Sequence, residues 1–177
     1  MPSQKQDYLL RLIEELGRLV TEIVKLRNQG SYDAALHTLL QAQERLFSRP
    51  AEEFVGRPIE DQVNLLVRGE NPANAREKCL LYATLLAEAA STYQARDQAA
   101  LALGACRWAL HVLLLARQES SDADSSALRA RLGALLDQLP PDDHLAQELK
   151  DLLRQLAAPP RAAGGTNATN FPASSPP

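Results

Sequence analysis

Leu9, Leu12, Leu16, Leu19, Ile23 and Leu26 follow one another at steps of 3, 4, 3, 4 and 3. That spacing draws an apolar seam down one side of a helix. Ile13, Val20 and Val24 widen the seam, which predicts more than one packing neighbour. Gly30 stops this first helix, and Ser31 stands where a cap for the next one belongs. Ala35, Leu36, Leu39, Ala42 and Leu46 then give a second amphipathic helix over Tyr32–Phe47. The link between the two is so short that they must lie antiparallel, as a hairpin.

The pattern breaks between Ser48 and Arg57, where Pro50, Gly56 and Pro58 punctuate the chain. Pro58 suits the first turn of a short helix carrying Ile59, Val63 and Leu66, ended by Gly69. Asn71-Pro72 is a cap followed by a proline at the first helical position. A long helix follows to Ala95, with Ala75, Cys79, Tyr82, Leu86, Ala89 and Tyr93 as its seam and Leu85 and Ala90 beside it. Asp97 is placed to cap a partner helix over about Gln98–Gln118. A third pair is expected from Leu128, Leu132, Leu135, Leu136 and Leu139, then from Leu145, Leu149, Leu152, Leu153 and Leu156. The acidic, Ser-rich stretch Glu119–Ser125 and Pro140-Pro141 separate these helices.

Composition agrees with this pattern. The 177 residues include 32 Leu and 28 Ala against 6 Val and 3 Ile, so helix formers far outnumber aliphatic strand formers. The expectation is an all-α chain of about seven helices, with residues 1–157 forming a helical-hairpin domain. Residues 158–177 hold 5 of the 11 prolines, and Phe171 is their only large apolar side chain. They read as a disordered Pro/Ala/Ser-rich tail, because they offer too little to bury.

A repeat is visible within the pattern. Leu19, Ile23, Leu26, Gly30, Tyr32, Ala35, Leu36, Leu39 and Ala42 lie over Leu86, Ala90, Tyr93, Asp97, Ala99, Ala102, Leu103, Cys106 and Ala109, 67 residues on. Both stretches resemble tetratricopeptide repeats, and the offset is close to two of their ~34-residue units. The Gly30-Ser31-Tyr32-Asp33-Ala34-Ala35-Leu36 turn carries the better match. The opening Gln4–Gly17, QKQDYLLRLIEELG, resembles a family of small all-helical, tetratricopeptide-like bacterial proteins of unknown function. The resemblance implies antiparallel hairpins stacked as an α-α superhelix, and it implies no activity.

Charge narrows the partners. The net charge is −3 with Lys and Arg scattered, which disfavours nucleic acid, since counterion release needs a basic face. The start of the chain lacks the apolar core of a secretion signal, and uninterrupted apolar runs are far shorter than a bilayer span. A cytoplasmic protein with no membrane partner is expected.

The search for chemistry returns little. His144 and Glu148 are at i,i+4, but nothing supplies the third and fourth ligands of a metal site. Adjacent carboxylates such as Glu14-Glu15 and Glu52-Glu53 diverge on a helix. No phosphate loop or nucleophile elbow is present. Cys79 and Cys106 read as small buried hydrophobes. No catalytic, metal or cofactor residue is therefore assigned, and the chain is expected not to be an enzyme.

The expected function is binding of a protein or peptide. If the hairpins stack as the resemblance implies, Val20, Val24 and Arg27 with Thr84, Glu88, Ser91 and Gln94 line a groove. That lining lacks the cationic cluster that clamps a terminal carboxylate. Trp108, the only Trp, is a candidate anchor because Trp is enriched at binding hot spots. Two alternatives stand beside this reading. The first helix seam could pair with its own copy as a homodimer, or a helical enzyme or small-ligand site could lie between helices.

Overall fold

The structure is a computed structural model that describes residues 4–117, 126–138 and 144–158. Among these residues there are seven α-helices and no strand. They are α1 (Gln4–Asn28), α2 (Tyr32–Phe47), α3 (Ile59–Val67), α4 (Pro72–Ala95), α5 (Ala99–Arg117), α6 (Ser126–Asp137) and α7 (His144–Ala157). The all-helical expectation holds. The expected loop at Glu119–Ser125, the Pro140-Pro141 break and the C-terminal tail lie outside the described residues, apart from Ala158.

The chain is organised around α4. Its most extensive partner is α5, and it also packs against α1, α2, α3 and α6. This explains its composition. From Tyr82 to Ala90 every residue except Thr84 is buried, so the apolar surface goes almost all the way round. Helices α1 and α2 form the first hairpin, α4 and α5 the second, and α6 and α7 pack on each other and on the second hairpin.

The two repeat-related turns are built alike. At the end of α1, Ser31 N–H donates to Leu26 O (2.9 Å) and Gly30 N–H to Arg27 O (3.0 Å). At the end of α4, Gln98 N–H donates to Tyr93 O (2.9 Å) and Asp97 N–H to Gln94 O (3.0 Å). This is the Schellman pattern, which needs a left-handed residue after the helix. Gly30 (φ 75°) and Asp97 (φ 59°) fill that position. Asp97 thus ends α4 instead of capping α5, a correction to its expected role. Asp tolerates left-handed backbone better than most residues, and the short turn leaves no other place for it.

Small residues set the spacing within the hairpins. Ala35 and Ala42 on α2, and Ala102 and Ala109 on α5, are all buried at the 67-residue offset. The helix starts differ: Pro58, expected in the first turn of α3, stands just before it at the N-cap with no side-chain bond. Asn71 Oδ1 accepts from Asn74 N–H (2.8 Å), whereas Ser31 makes no side-chain capping bond.

The irregular segment after α2 is pinned by aromatic rings. Phe54 stacks on Phe47 with centroids 4.3 Å apart, and Phe47 meets Tyr82 edge-on at 5.0 Å. The Tyr82 hydroxyl donates to Gln62 Oε1, and Gln62 Nε2 donates to Arg57 O (2.8 Å). Tyr82 and Gln62 are buried, so each polar atom here needs its partner. Burial also raises the Tyr82 hydroxyl above its ordinary pKa.

Candidate partner-binding surfaces

The residues singled out from sequence fall on two different surfaces. Arg27, Glu88, Ser91 and Gln94 meet where α1, α4 and α6 come together. The Glu88 side chain is 2% exposed and receives two guanidinium groups. Arg27 Nη1 donates to one carboxylate oxygen at 2.7 Å, and Arg131 Nη1 donates to the other. Arg131 Nη2 also reaches Ser91 Oγ (2.9 Å), and Gln94 Nε2 donates to Gln138 Oε1 (2.8 Å). Burial pushes the Glu88 carboxyl pKa up. The hydrogen bonds and charges of Arg131 and Arg27 outweigh that push and hold it below its ordinary value.

Arg131 is the member that sequence reading missed. It lies 43 residues from Glu88, and no local pattern links them. With it, two guanidiniums face this surface, the number a peptide carboxylate would need for a clamp. Both are already holding Glu88, so the chain supplies its own carboxylate there. Among the other candidates, Thr84 turns its hydroxyl back onto Leu80 O (2.8 Å), and Val20 and Val24 are half-buried. None of these three offers a free polar group.

Trp108 belongs to a second surface. Helices α2 and α5 both pack on α4 and leave a furrow between them, with α4 as its floor. The cleft measures about 460 Å³. Leu36, Leu39 and Leu40 wall it on one side, and Leu101, Gly104 and Trp108 on the other. Phe54 and Val55 also contribute to its lining. No charged residue is among those that line it. Leu101, Val55 and Trp108 are exposed, Trp108 at 38%. Such an apolar opening is larger than the single exposed hydrophobes scattered on most surfaces.

Helix α5 explains this exposure. Ala99–Ala116 is long and apolar enough, by length and composition alone, to cross a membrane. In this fold α5 packs against α3, α4, α6 and α7, and Ala100, Leu101, Gly104, Ala105 and Trp108 line the furrow. The apolar surplus of α5 is therefore only partly consumed by its neighbours.

A larger cleft, about 950 Å³, lies between α1 and α2. Charged and apolar side chains line it together, and it is crossed by an Arg45–Glu15 ion pair (3.3 Å), with Tyr8 Oη bonded to Ser48 Oγ (3.0 Å). Those charges stay solvated and need no ligand.

Among the described residues, no three His, Cys, Asp or Glu side chains converge as a metal site. Cys79 and Cys106 are buried and are not joined in a disulfide. Burial pushes Cys106 up to about 11, against a smaller opposing effect of the Arg131 charge. It is a thiol, not a nucleophilic thiolate, at neutral pH. Comparison of the chain with protein-family models, with curated proteins and with solved structures finds no match.

Proposed function

We propose that this protein is a non-catalytic binding module whose furrow between α2 and α5 receives an uncharged, apolar segment of a partner protein. The observation that carries this reading is the charge-free lining of the furrow combined with the exposed Leu101 and Trp108 at its edge. A partner side chain entering there strips no water from ionised groups, so apolar burial at about 25 cal/mol per Å² is not offset by that cost. The finer architecture belongs to the same proposal. The pairs α1/α2, α4/α5 and α6/α7 are three stacked tetratricopeptide-like hairpins, with α3 inserted between the first two. The matching turns at Gly30 and Asp97 support that arrangement.

The homodimer alternative is weakened by where the α1 seam goes. Leu9, Leu12, Leu16 and Ile23 are buried inside the fold, so they are not available to a second copy. Among the described residues, Glu88, Arg27 and Arg131 converge but are spent on one another, which gives an enzyme reading no support.

The test is affinity capture from cells that produce the protein, comparing the wild type with a folded Leu101→Asp, Trp108→Asp double variant. A partner recovered by the wild type and lost by the variant supports the reading. Equal recovery by both refutes the furrow as the binding surface.

A further inference from the structure

Among the polar groups that line the furrow, the Gln43 amide and the Tyr93 hydroxyl bond to no described residue. Gln43 on α2 is 8% exposed and lines the cleft. No fully enclosed polar atom is left unsatisfied, so that amide keeps contact with solvent and is open to a ligand. An amide in an apolar wall favours a particular occupant. A helix satisfies its own backbone groups, whereas an extended segment offers free N–H and C=O groups along its length. The fitting ligand is an extended, uncharged segment with one large apolar anchor.

The chain carries such a segment itself. Residues 162–177, AAGGTNATNFPASSPP, contain no charged residue and a single large apolar side chain, Phe171. A residue that precedes proline favours extended backbone, so the Phe171-Pro172 sequence suits a ligand whose main-chain groups are free for Gln43. The reach is sufficient. Phe171 lies thirteen residues beyond Ala158, where the described structure ends beside α6 and α7. At about 3.3 Å per residue that is up to ~43 Å. Helix α5, against which α7 packs, is 19 residues or about 28 Å long, and crossing it adds one helix diameter of ~10 Å.

We infer that the segment around Phe171 occupies the furrow between α2 and α5 in cis, with the Phe171 ring beside Leu101 and Trp108 and the main chain bonded to Gln43. The inference rests on the furrow being the binding surface. It adds regulation: a partner must displace the tail, and the tether supplies the tail at an effective concentration on the order of millimolar.

Trp108 is the only Trp, so its emission reports on the furrow alone. The experiment compares the full-length chain with full-length Phe171→Ala, then titrates the variant with a peptide of residues 163–177. Methyl resonances of Leu40 and Leu101 are followed in parallel for ring-current shifts. The expected result is a red-shifted Trp108 emission and altered methyl shifts in Phe171→Ala. The peptide restores both, and a Phe171→Ala peptide does not. Partner affinity in the variant is expected to rise about tenfold, as cis competition is removed. Superimposable emission and methyl spectra of the two full-length proteins overturn the inference, whether or not the peptide binds in trans. Partner capture that is still lost with Leu101→Asp, Trp108→Asp would then leave the furrow reading standing. If capture survives that double variant while the tail signals respond to Phe171, the furrow is a site for the tail alone.

Discussion

Arg27 and Glu88 are 61 residues apart in the chain and 2.7 Å apart in space. Their contact joins the first hairpin to the second, and Arg131 carries the link on to α6. Glu88 is therefore the point through which three parts of the fold are tied. Replacing it with Ala leaves two guanidiniums facing one another without an anion. The expected loss is about 2–4 kcal/mol in urea denaturation, below the usual range for a broken buried pair because Arg131 is one-third exposed. Arg131→Ala is expected to cost less, since Arg27 still neutralises the carboxylate.

The same carboxylate makes stability pH-dependent. Its pKa in the folded chain lies below the ordinary 4.5. The unfolded chain therefore takes up the proton first as pH falls. The stabilisation is fully present above about pH 5 and is lost progressively as pH drops through 4.5 and then through the folded value. Glu88→Gln removes this contribution. The stability difference between wild type and Glu88→Gln is expected to shrink between pH 5 and pH 3, measured by urea midpoints at each pH. A constant difference would show that Glu88 does not titrate with folding.

The left-handed residue at Asp97 is open to improvement. Glycine fills the equivalent position at Gly30. Asp97→Gly is expected to raise stability by about 0.5–1 kcal/mol, because a Cβ in left-handed backbone carries a steric cost that glycine lacks. Thermal melts of wild type and Asp97→Gly read this directly. An unchanged or lower melting temperature would mean that the turn already accommodates the aspartate without strain.

The α1 seam distinguishes core from interface. Leu12 and Leu16 are 4% and 1% exposed. Placing Asp at both is expected to unfold the chain, since it buries two charges without partners. Circular dichroism and sedimentation together decide the matter. A variant that keeps its helicity and merely halves its mass would mean that the seam is an intermolecular contact.

The buried thiols give a simple probe of the fold. Cys79 and Cys106 are expected to resist a thiol reagent at pH 7.5 and to react rapidly once urea unfolds the chain. Rapid labelling of either in the native protein would show that α4 and α5 separate readily.

Helix positions were legible because step patterns of 3 and 4 report local geometry, which a short window of sequence contains. The sequence reading of α1, α2 and α4 ends within a residue or so of the observed bounds for this reason. Asp97 was misjudged because a residue between two helices can belong to either, and backbone hydrogen bonds decide which. Phe54 gave no periodic signal, since it sits in an irregular segment and is buried by stacking on Phe47. Four of the groove candidates, Arg27, Glu88, Ser91 and Gln94, do gather at one junction. Arg131 escaped notice because its partnership is set by how α6 docks. Trp108 was marked as an anchor from its residue type, but its place on a separate surface follows from α2 and α5 standing apart, a distance that no local pattern encodes.

Ala83, Ala87 and Ala90 lie fully enclosed on α4, and Ala89 beside them forms part of the furrow's floor. These methyl groups act as thin shims between the rods on either side. Enlarging one of them would spread the neighbouring rods and widen the opening at the same stroke. The calibre of the furrow is thus governed from the interior, so changes that never touch a ligand can still retune what fits.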